Sequence, residues 1–333
     1  MNPLNLLVVT GLQALWQRRD FMKYSLISGL FWGLDTALLA VLVALSVHGL
    51  TPSAVWYVGV VGACVHDVVC AVILWIYMAC RSKLRETVAL CKRTKLIVPI
   101  VLSSLLGGPI GMTGYAIATS NIGAGYAAAI SALYPAFGIV LSSIVLRERL
   151  SALKYCAFAV TLIAVGVLGY CSCVESSTAT VFSPGSIVLG LIAAIFSVIG
   201  WGSEAVACAW ATRKQSVDDE VMLHVRETVS ALSYALLIVP LCTILPVFSV
   251  KIMQSAGFIA LAIFIALLGA ASYLCYYRGI AQVGATRAMA GNITYAVWSM
   301  IAAALLSQTI PPLIAWVCCV VIIAGTVVVA SEK

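Results

Sequence analysis

The chain has 333 residues, of which 63% are apolar and only 9% charged, with a mean hydropathy of +1.10. A soluble domain of this size cannot reconcile that balance with a hydrated surface, so the expected solvent is the lipid bilayer. The formal net charge of +7 reads as a topological bias and not as a nucleic-acid footprint, because of where the charges fall.

A hydrocarbon core about 30 Å thick takes about 20 apolar residues per helix. The segment 1–23 carries Arg18, Arg19 and Lys23 without a short apolar core ending in a cleavage site, so it is expected to be a retained cytoplasmic segment. Ten apolar spans follow, at 24–47, 55–79, 95–118, 122–146, 152–171, 185–211, 224–248, 256–278, 287–307 and 312–330. The fold class is therefore all-α and integral to a membrane. Every Lys and Arg except Lys251 lies before the first span, after an even-numbered span or near such an end, which places both termini in the cytoplasm. The setting expected from this pattern is a bacterial inner membrane, crossed many times.

The sequence repeats itself. Trp32-Gly33-Leu34-Asp35 in the first span recurs as Trp201-Gly202-Ser203-Glu204 in the sixth, and Tyr115, Gly123, Ala124 and Tyr134 recur in a common register as Tyr276, Gly284, Ala285 and Tyr295. Each half then holds five spans: a first repeat over 24–171, an external linker over 172–184, a second repeat over 185–330 and a cytoplasmic tail at 331–333. Because five is odd, the second half enters the bilayer from the opposite side. Such an inverted 5+5 repeat is an alternating-access architecture.

Acids inside a bilayer are expensive and are functional candidates by default. Asp35 and Glu204 each follow a tryptophan by three residues, which puts acid and indole on one helical face. The two W-G-x-acid faces are expected to meet across a central cavity, giving two indoles and two negative charges. That constellation suits a small organic cation, above all a quaternary or otherwise bulky ammonium group, which has few or no N–H donors and is best held by aromatic faces and nearby carboxylates. Tyr273, Tyr276 and Tyr277 form a stripe in span eight, and Asn292, Tyr295 and Trp298 another in span nine; substrate contact and helix packing are both open for them.

His66-Asp67 in span two reads either as a proton relay or as a pair satisfied by a neighbouring helix. Arg226-Glu227 and His224 fall at the start of span seven and are expected to be interfacial, and Arg147-Glu148-Arg149 an exposed hinge. Trp56, Tyr57, Trp75, Tyr77, Trp210 and Trp316 read as interfacial anchors. Gly29/Gly33 and Gly107/Gly111 read as points of close helix approach. Eight of the cysteines, Cys64, Cys70, Cys156, Cys208, Cys242, Cys275, Cys318 and Cys319, lie within apolar spans as small packing residues, and Cys171-x-Cys173 at an external loop has no partners for a four-ligand metal site. No metal and no cofactor is expected. Neither H-E-x-x-H nor G-x-S-x-G occurs, and the loops are too short for a catalytic or signalling domain, so a membrane enzyme or a sensor is the weaker reading.

With Ala132-Leu133-Tyr134-Pro135 leading into Arg147-Glu148-Arg149-Leu150, the 5+5 pattern resembles the EamA-type branch of the drug/metabolite transporter superfamily across nearly the whole chain. More narrowly, the two W-G-x-acid motifs, Val225-Arg226-Glu227-Thr228-Val229-Ser230-Ala231-Leu232 and Asn292-Ile293-Thr294-Tyr295 look like bacterial LicB-type choline transporters. The resemblance implies proton-coupled uptake of choline, with Trp32 and Trp201 as cage walls and Tyr276 and Tyr295 closing the cage. Asp35 and Glu204 would supply negative potential, and one of them could exchange the proton. Substrate binding is thus expected at Trp32, Asp35, Trp201, Glu204, Tyr273, Tyr276, Asn292 and Tyr295, and proton coupling among Asp35, Glu204, Asp67 and His66. The rival within the same superfamily is an exporter of cationic drugs, amino acids or other metabolites.

Overall fold

The computed structural model describes residues 22–39, 41–42, 45, 57–122, 127, 130–176, 184–241, 254–308 and 310–330. The expected tail 331–333, nearly all of the segment 1–23, most of the linker, and Trp56, Gly123, Ala124, Cys242 and Lys251 lie outside the described residues.

The described residues form helices joined by short turns, as their hydropathy requires: a backbone in lipid must satisfy its own N–H and C=O groups. In chain order they form α1 (22–39), α2 (Tyr57–Cys80), α3 (Leu84–Cys91), α4 (Thr94–Leu105), α5 (Gly111–Ile122), α6 (Tyr134–Val145) and α7 (Ala152–Ser176). After these come α8 (Pro184–Ala209), α9 (Asp219–Ser233), α10 (Val239–Leu241), α11 (Ala256–Val283), α12 (Ala285–Asn292), α13 (Tyr295–Ser307) and α14 (Leu313–Ala330). Six helical stretches among the described residues are long and apolar enough to cross a membrane. Wide π-helical turns at Leu106–Ile110 and Tyr234–Ile238 join α4 to α5 and α9 to α10, and a third, Trp210–Lys214, extends α8. The first contains Pro109, whose missing N–H forces the ladder to shift.

Several expected spans change shape. The fourth and ninth are interrupted at mid-length. At both breaks the backbone tightens to i→i+3 bonds: Leu133 N–H to Ile130 C=O (3.0 Å) and Ala136 to Leu133 (2.9 Å) in one, Ala296 to Ile293 (3.2 Å) and Val297 to Thr294 (3.0 Å) in the other. Pro135 sets the first restart, since proline suits a helix's opening positions. The Thr294 hydroxyl, bonded to Gly291 C=O at 2.8 Å, helps set the second. Each restart begins on a tyrosine, Tyr134 or Tyr295. Span five runs on to Ser176, so Cys171 and Cys173 are helical and not at the start of a loop. Cys64, Cys70, Cys208, Cys318 and Cys319 are buried as expected of packing residues, whereas Cys156 is exposed and Cys275 only half-buried.

Helix α8 packs on α5 and α6, α9 on α2 and α4, α11 on α2, and α14 on α7. Two glycines mark matching close approaches. A Cβ on Gly33 would lie 2.8 Å from the Tyr295 carbonyl oxygen, and one on Gly202 2.8 Å from that of Tyr134. Each W-G motif therefore abuts the restarting helix of the opposite half. The outward faces are apolar, with Leu102, Ile144, Leu236 and Val320 exposed. The inner faces combine large apolar side chains, among them Met78, Ile100, Met222 and Ile280, with charged ones.

One polar clamp closes the end of the bundle near α3. Asp218 caps α9, accepting from the Glu220 and Val221 N–H groups at 3.0 and 3.2 Å. Lys83 bridges Asp218 (2.7 Å) and Glu220 (2.9 Å), and Arg278 reaches Asp219 at 2.8 Å. Partial burial raises the Asp218 carboxyl, but Lys83 and the two amides outweigh it and hold it below the usual range. Burial lowers the Lys83 ammonium, and its two acids outweigh that in turn and raise it.

Candidate functional site: a central cavity and its charge cluster

The interior holds a partly open cavity with a volume of about 50 Å³. Six aromatic residues wall it: Trp32, Tyr134, Trp201, Tyr273, Tyr276 and Tyr295. Trp32 comes from α1 and Trp201 from α8, while Tyr134 and Tyr295 open α6 and α13 at the two helix breaks. Tyr273 and Tyr276 lie one turn apart on α11. The rings brace one another: Trp32 and Tyr273 centroids are 5.3 Å apart, Tyr134 and Trp201 6.0 Å apart edge-to-face, and Tyr115 backs Trp201 at 5.5 Å. A polar seam runs along the same wall. The Tyr134 hydroxyl donates to Asn292 Oδ1 (2.9 Å), Asn292 Nδ2 donates to Ser28 Oγ (2.9 Å), and Ser272 donates to the Ser28 carbonyl (3.0 Å).

Glu204 and Arg226 complete the wall and begin a chain of buried charge. Arg226 is fully buried on α9. Its Nε donates to Glu204 Oε1 at 3.0 Å, Nη1 donates to Glu227 Oε1 and lies 3.7 Å from Asp67 Oδ2, and the guanidinium sits 4.6 Å over the Tyr273 ring. Tyr277 donates to Glu204 Oε1 at 2.6 Å. From Asp67 the chain continues: Ser230 donates to its Oδ2 at 2.5 Å, His66 Nδ1 meets its Oδ1 at 3.0 Å, and His66 Nε2 meets Asp35 Oδ1 at 3.2 Å. Four carboxyls thus share one guanidinium and one imidazole, all within protein. Buried charges persist only when paired and hydrogen-bonded in this way.

Of the residues named from sequence, Trp32, Trp201, Glu204, Tyr273, Tyr276, Asn292 and Tyr295 line this one cavity. Asp35 does not. It is 1% exposed and lies behind Trp32, turned to His66, whose ring meets Trp32 edge-on at 6.0 Å. The expectation of two acids facing each other across the cavity is corrected on this point. His66 and Asp67 are in direct contact, although adjacent residues on a helix diverge, because the short Asp67 side chain folds back to the ring.

Three further expectations are corrected. Arg226-Glu227 is no interfacial pair, because α9 starts at Asp219 and carries both residues about two turns inward, roughly 10 Å of helix. His224 is likewise buried, 3.0 Å from the Thr87 hydroxyl and edge-on to Trp75. Glu148 is not simply exposed, since it accepts from Arg213 (2.7 Å), Ser142 (2.8 Å) and Thr286 (3.0 Å) and ties three segments together. Sequence reading passed over Ser28 and Ser272, and noted Tyr134 only in the repeat and a motif and Tyr277 only in a helical stripe. The signal for Arg226 was available in Asp218-Asp219-Glu220, an N-cap followed by first-turn acids, which marks an earlier helix start.

Comparison with known proteins bears on what this arrangement is for. The solved crystal structure of a protein 17% identical in sequence superposes with a TM-score of 0.65, covering 92% of this chain and 96% of that one, which establishes a shared fold. Protein LicB of Haemophilus influenzae is 32% identical over 202 residues, 60% of this chain, and the match spans 63% of LicB's length. The model of the EamA-like transporter family matches twice, over residues 19–170 and 188–331. These two matches take in almost the whole chain, one on each half, and the protein belongs to the EamA-like transporter family.

Proposed function

We propose that the chain imports choline or a related quaternary ammonium compound across a bacterial inner membrane by alternating access, coupled to protons. One observation carries the reading: six aromatic rings from both halves surround a cavity whose attached charge cluster holds four carboxyls against two basic groups. A quaternary ammonium presents no N–H to bond, so ring faces and a net negative field are what select it. The similarity to LicB and the resemblance to LicB-type choline transporters point the same way.

The reciprocal contacts Gly33 to Tyr295 and Gly202 to Tyr134 support two structurally equivalent halves. With five spans in each, these form the inverted 5+5 repeat, with both termini cytoplasmic and the clamp of Lys83, Asp218 and Glu220 on the cytoplasmic side. Broken helices at a repeat interface are a recurring way to build a substrate site at the bilayer midplane.

Export of an amino acid is the alternative with an observation behind it, because Arg226 on the wall could take a carboxylate. Its guanidinium, however, is already committed to Glu204, Glu227 and Asp67. A binding screen of the purified protein with choline, betaine, ethanolamine and glutamate separates the two. Choline is expected to bind most tightly, and Trp32→Ala or Trp201→Ala to abolish choline uptake into vesicles. Tighter binding of ethanolamine or glutamate, or unchanged uptake in both variants, would overturn the cage.

A further inference from the structure

Counting protons in the buried cluster leads past the cavity to Glu227. His66 meets a carboxylate at each ring nitrogen, Asp67 at Nδ1 and Asp35 at Nε2. A neutral imidazole has only one N–H, so the trio holds either an imidazolium or one protonated carboxyl, and its charge is −1 in both cases. Arg226 and Glu204 cancel, their contact reinforced by the Tyr277 hydroxyl. Glu227 remains. It is fully buried, its Oε1 accepts from Arg226, and its Oε2 has no hydrogen-bond partner.

The groups that face Glu227 are Arg226 on its own helix, Asp67, His66 and Cys70 on α2, Glu204 on α8 and Tyr273 on α11. Arg226 is the cation that touches it, and that guanidinium is shared with two other acids. An ionised carboxylate with a bare buried oxygen is far more costly than a neutral carboxyl in the same place. Ionised, Glu227 leaves the cluster at −2; protonated, it leaves −1, which one monovalent organic cation in the cavity neutralises.

We propose that Glu227 carries the proton that travels with the organic cation, and that Arg226, which touches both Glu227 and the cavity-lining Glu204, is the positioning residue that links the two sites. The cluster is neutral when one cation and one proton are bound together, so both move in the same direction. This inference rests on the reading of the cavity as a cation site.

Glu227→Gln keeps the shape and fixes the neutral form. In proteoliposomes, wild type is expected to accumulate labelled choline when driven by a pH gradient alone. Glu227→Gln is expected to lose that accumulation while choline exchange at equal pH persists and no longer varies with pH. Gradient-driven accumulation by the variant, or loss of exchange in a variant that remains monodisperse, overturns the assignment. If wild type exchanges no choline, it is the substrate reading that fails, and infrared difference spectra still test the proton site. A protonated-carboxyl C=O band that titrates in wild type is expected to be missing from Glu227→Gln, and its persistence there overturns the proposal. Should Glu227→Gln fail to fold, Glu227→Asp carries the test: its titrating band shifts if the proton is there and stays in place if it is not.

Discussion

Arg226 is fully buried and touches Glu204, Glu227, Asp67 and Tyr273 at once. Removing one member of a buried ion cluster strands the others, which typically costs about 3–5 kcal/mol. Arg226→Met is therefore expected to lower thermal stability in detergent sharply, whereas Arg226→Lys keeps the charge, loses the planar fork and destabilises less. Equal melting of the two would show that geometry and not charge holds the cluster. The W-G-x-acid pair stood out in the sequence because it is duplicated, and its indoles do line the cavity. The fate of each acid was not readable from spacing. Three residues along a helix leave a side chain about 60° around the axis, enough for a neighbour to decide: His66 draws Asp35 off the wall, while Arg226 and Tyr277 hold Glu204 on it.

At the scale of elements, hydropathy marked the apolar helices but not their breaks. Spans four and nine carry apolar residues straight through the interruptions, so a window average sees one segment where α12 and α13 are two. Close packing explains why the breaks tolerate no added volume. Gly33→Ala and Gly202→Ala push a methyl against a backbone carbonyl that cannot rotate away, and each is expected to destabilise by about 1–3 kcal/mol, read as a lowered melting temperature. The α9 cap is a separate matter. Asp218→Ala removes both cap and charge, and loss of such a cap costs about 1 kcal/mol; Asp218→Asn keeps the cap and loses only the pair with Lys83. Because the folded Asp218 pKa is depressed, its contribution is present above the ordinary carboxylate range and fades as pH falls through the lowered value. Lys83, whose pKa is raised, contributes below the ordinary lysine range and loses that contribution as pH rises through the raised value. Wild type is thus expected to lose its margin over Asp218→Asn in strong acid and again in alkali above the raised lysine value, and an equal margin at neutral and strongly acid pH would exclude the pair.

At the scale of the whole molecule, charge distribution is the strongest guide to orientation, and the buried position of Arg226 refines it. A residue that never reaches the headgroups has no vote in the positive-inside rule. Under the proposed ten-span topology the remaining basic residues still fall on one side, in the stretches Arg81–Lys95, Arg147–Lys154, Arg213–Lys214 and Arg278–Arg287, with Lys251 alone opposite. Under the proposed inverted repeat, equivalent loops of the two halves lie on opposite sides, so the odd number of spans per half and the even total are one claim. A fluorescent protein fused after Lys333 is expected to mature, because it would remain in the cytoplasm, and one inserted after Lys251 is expected to stay dark. Fluorescence at both positions would remove a span between them and break the 5+5 count; darkness at Lys333 alone would reverse the second half. The first result would also put Asp218 and Glu220 of the clamp on a different side from the tail, and the alternating-access reading would lose its symmetry with it.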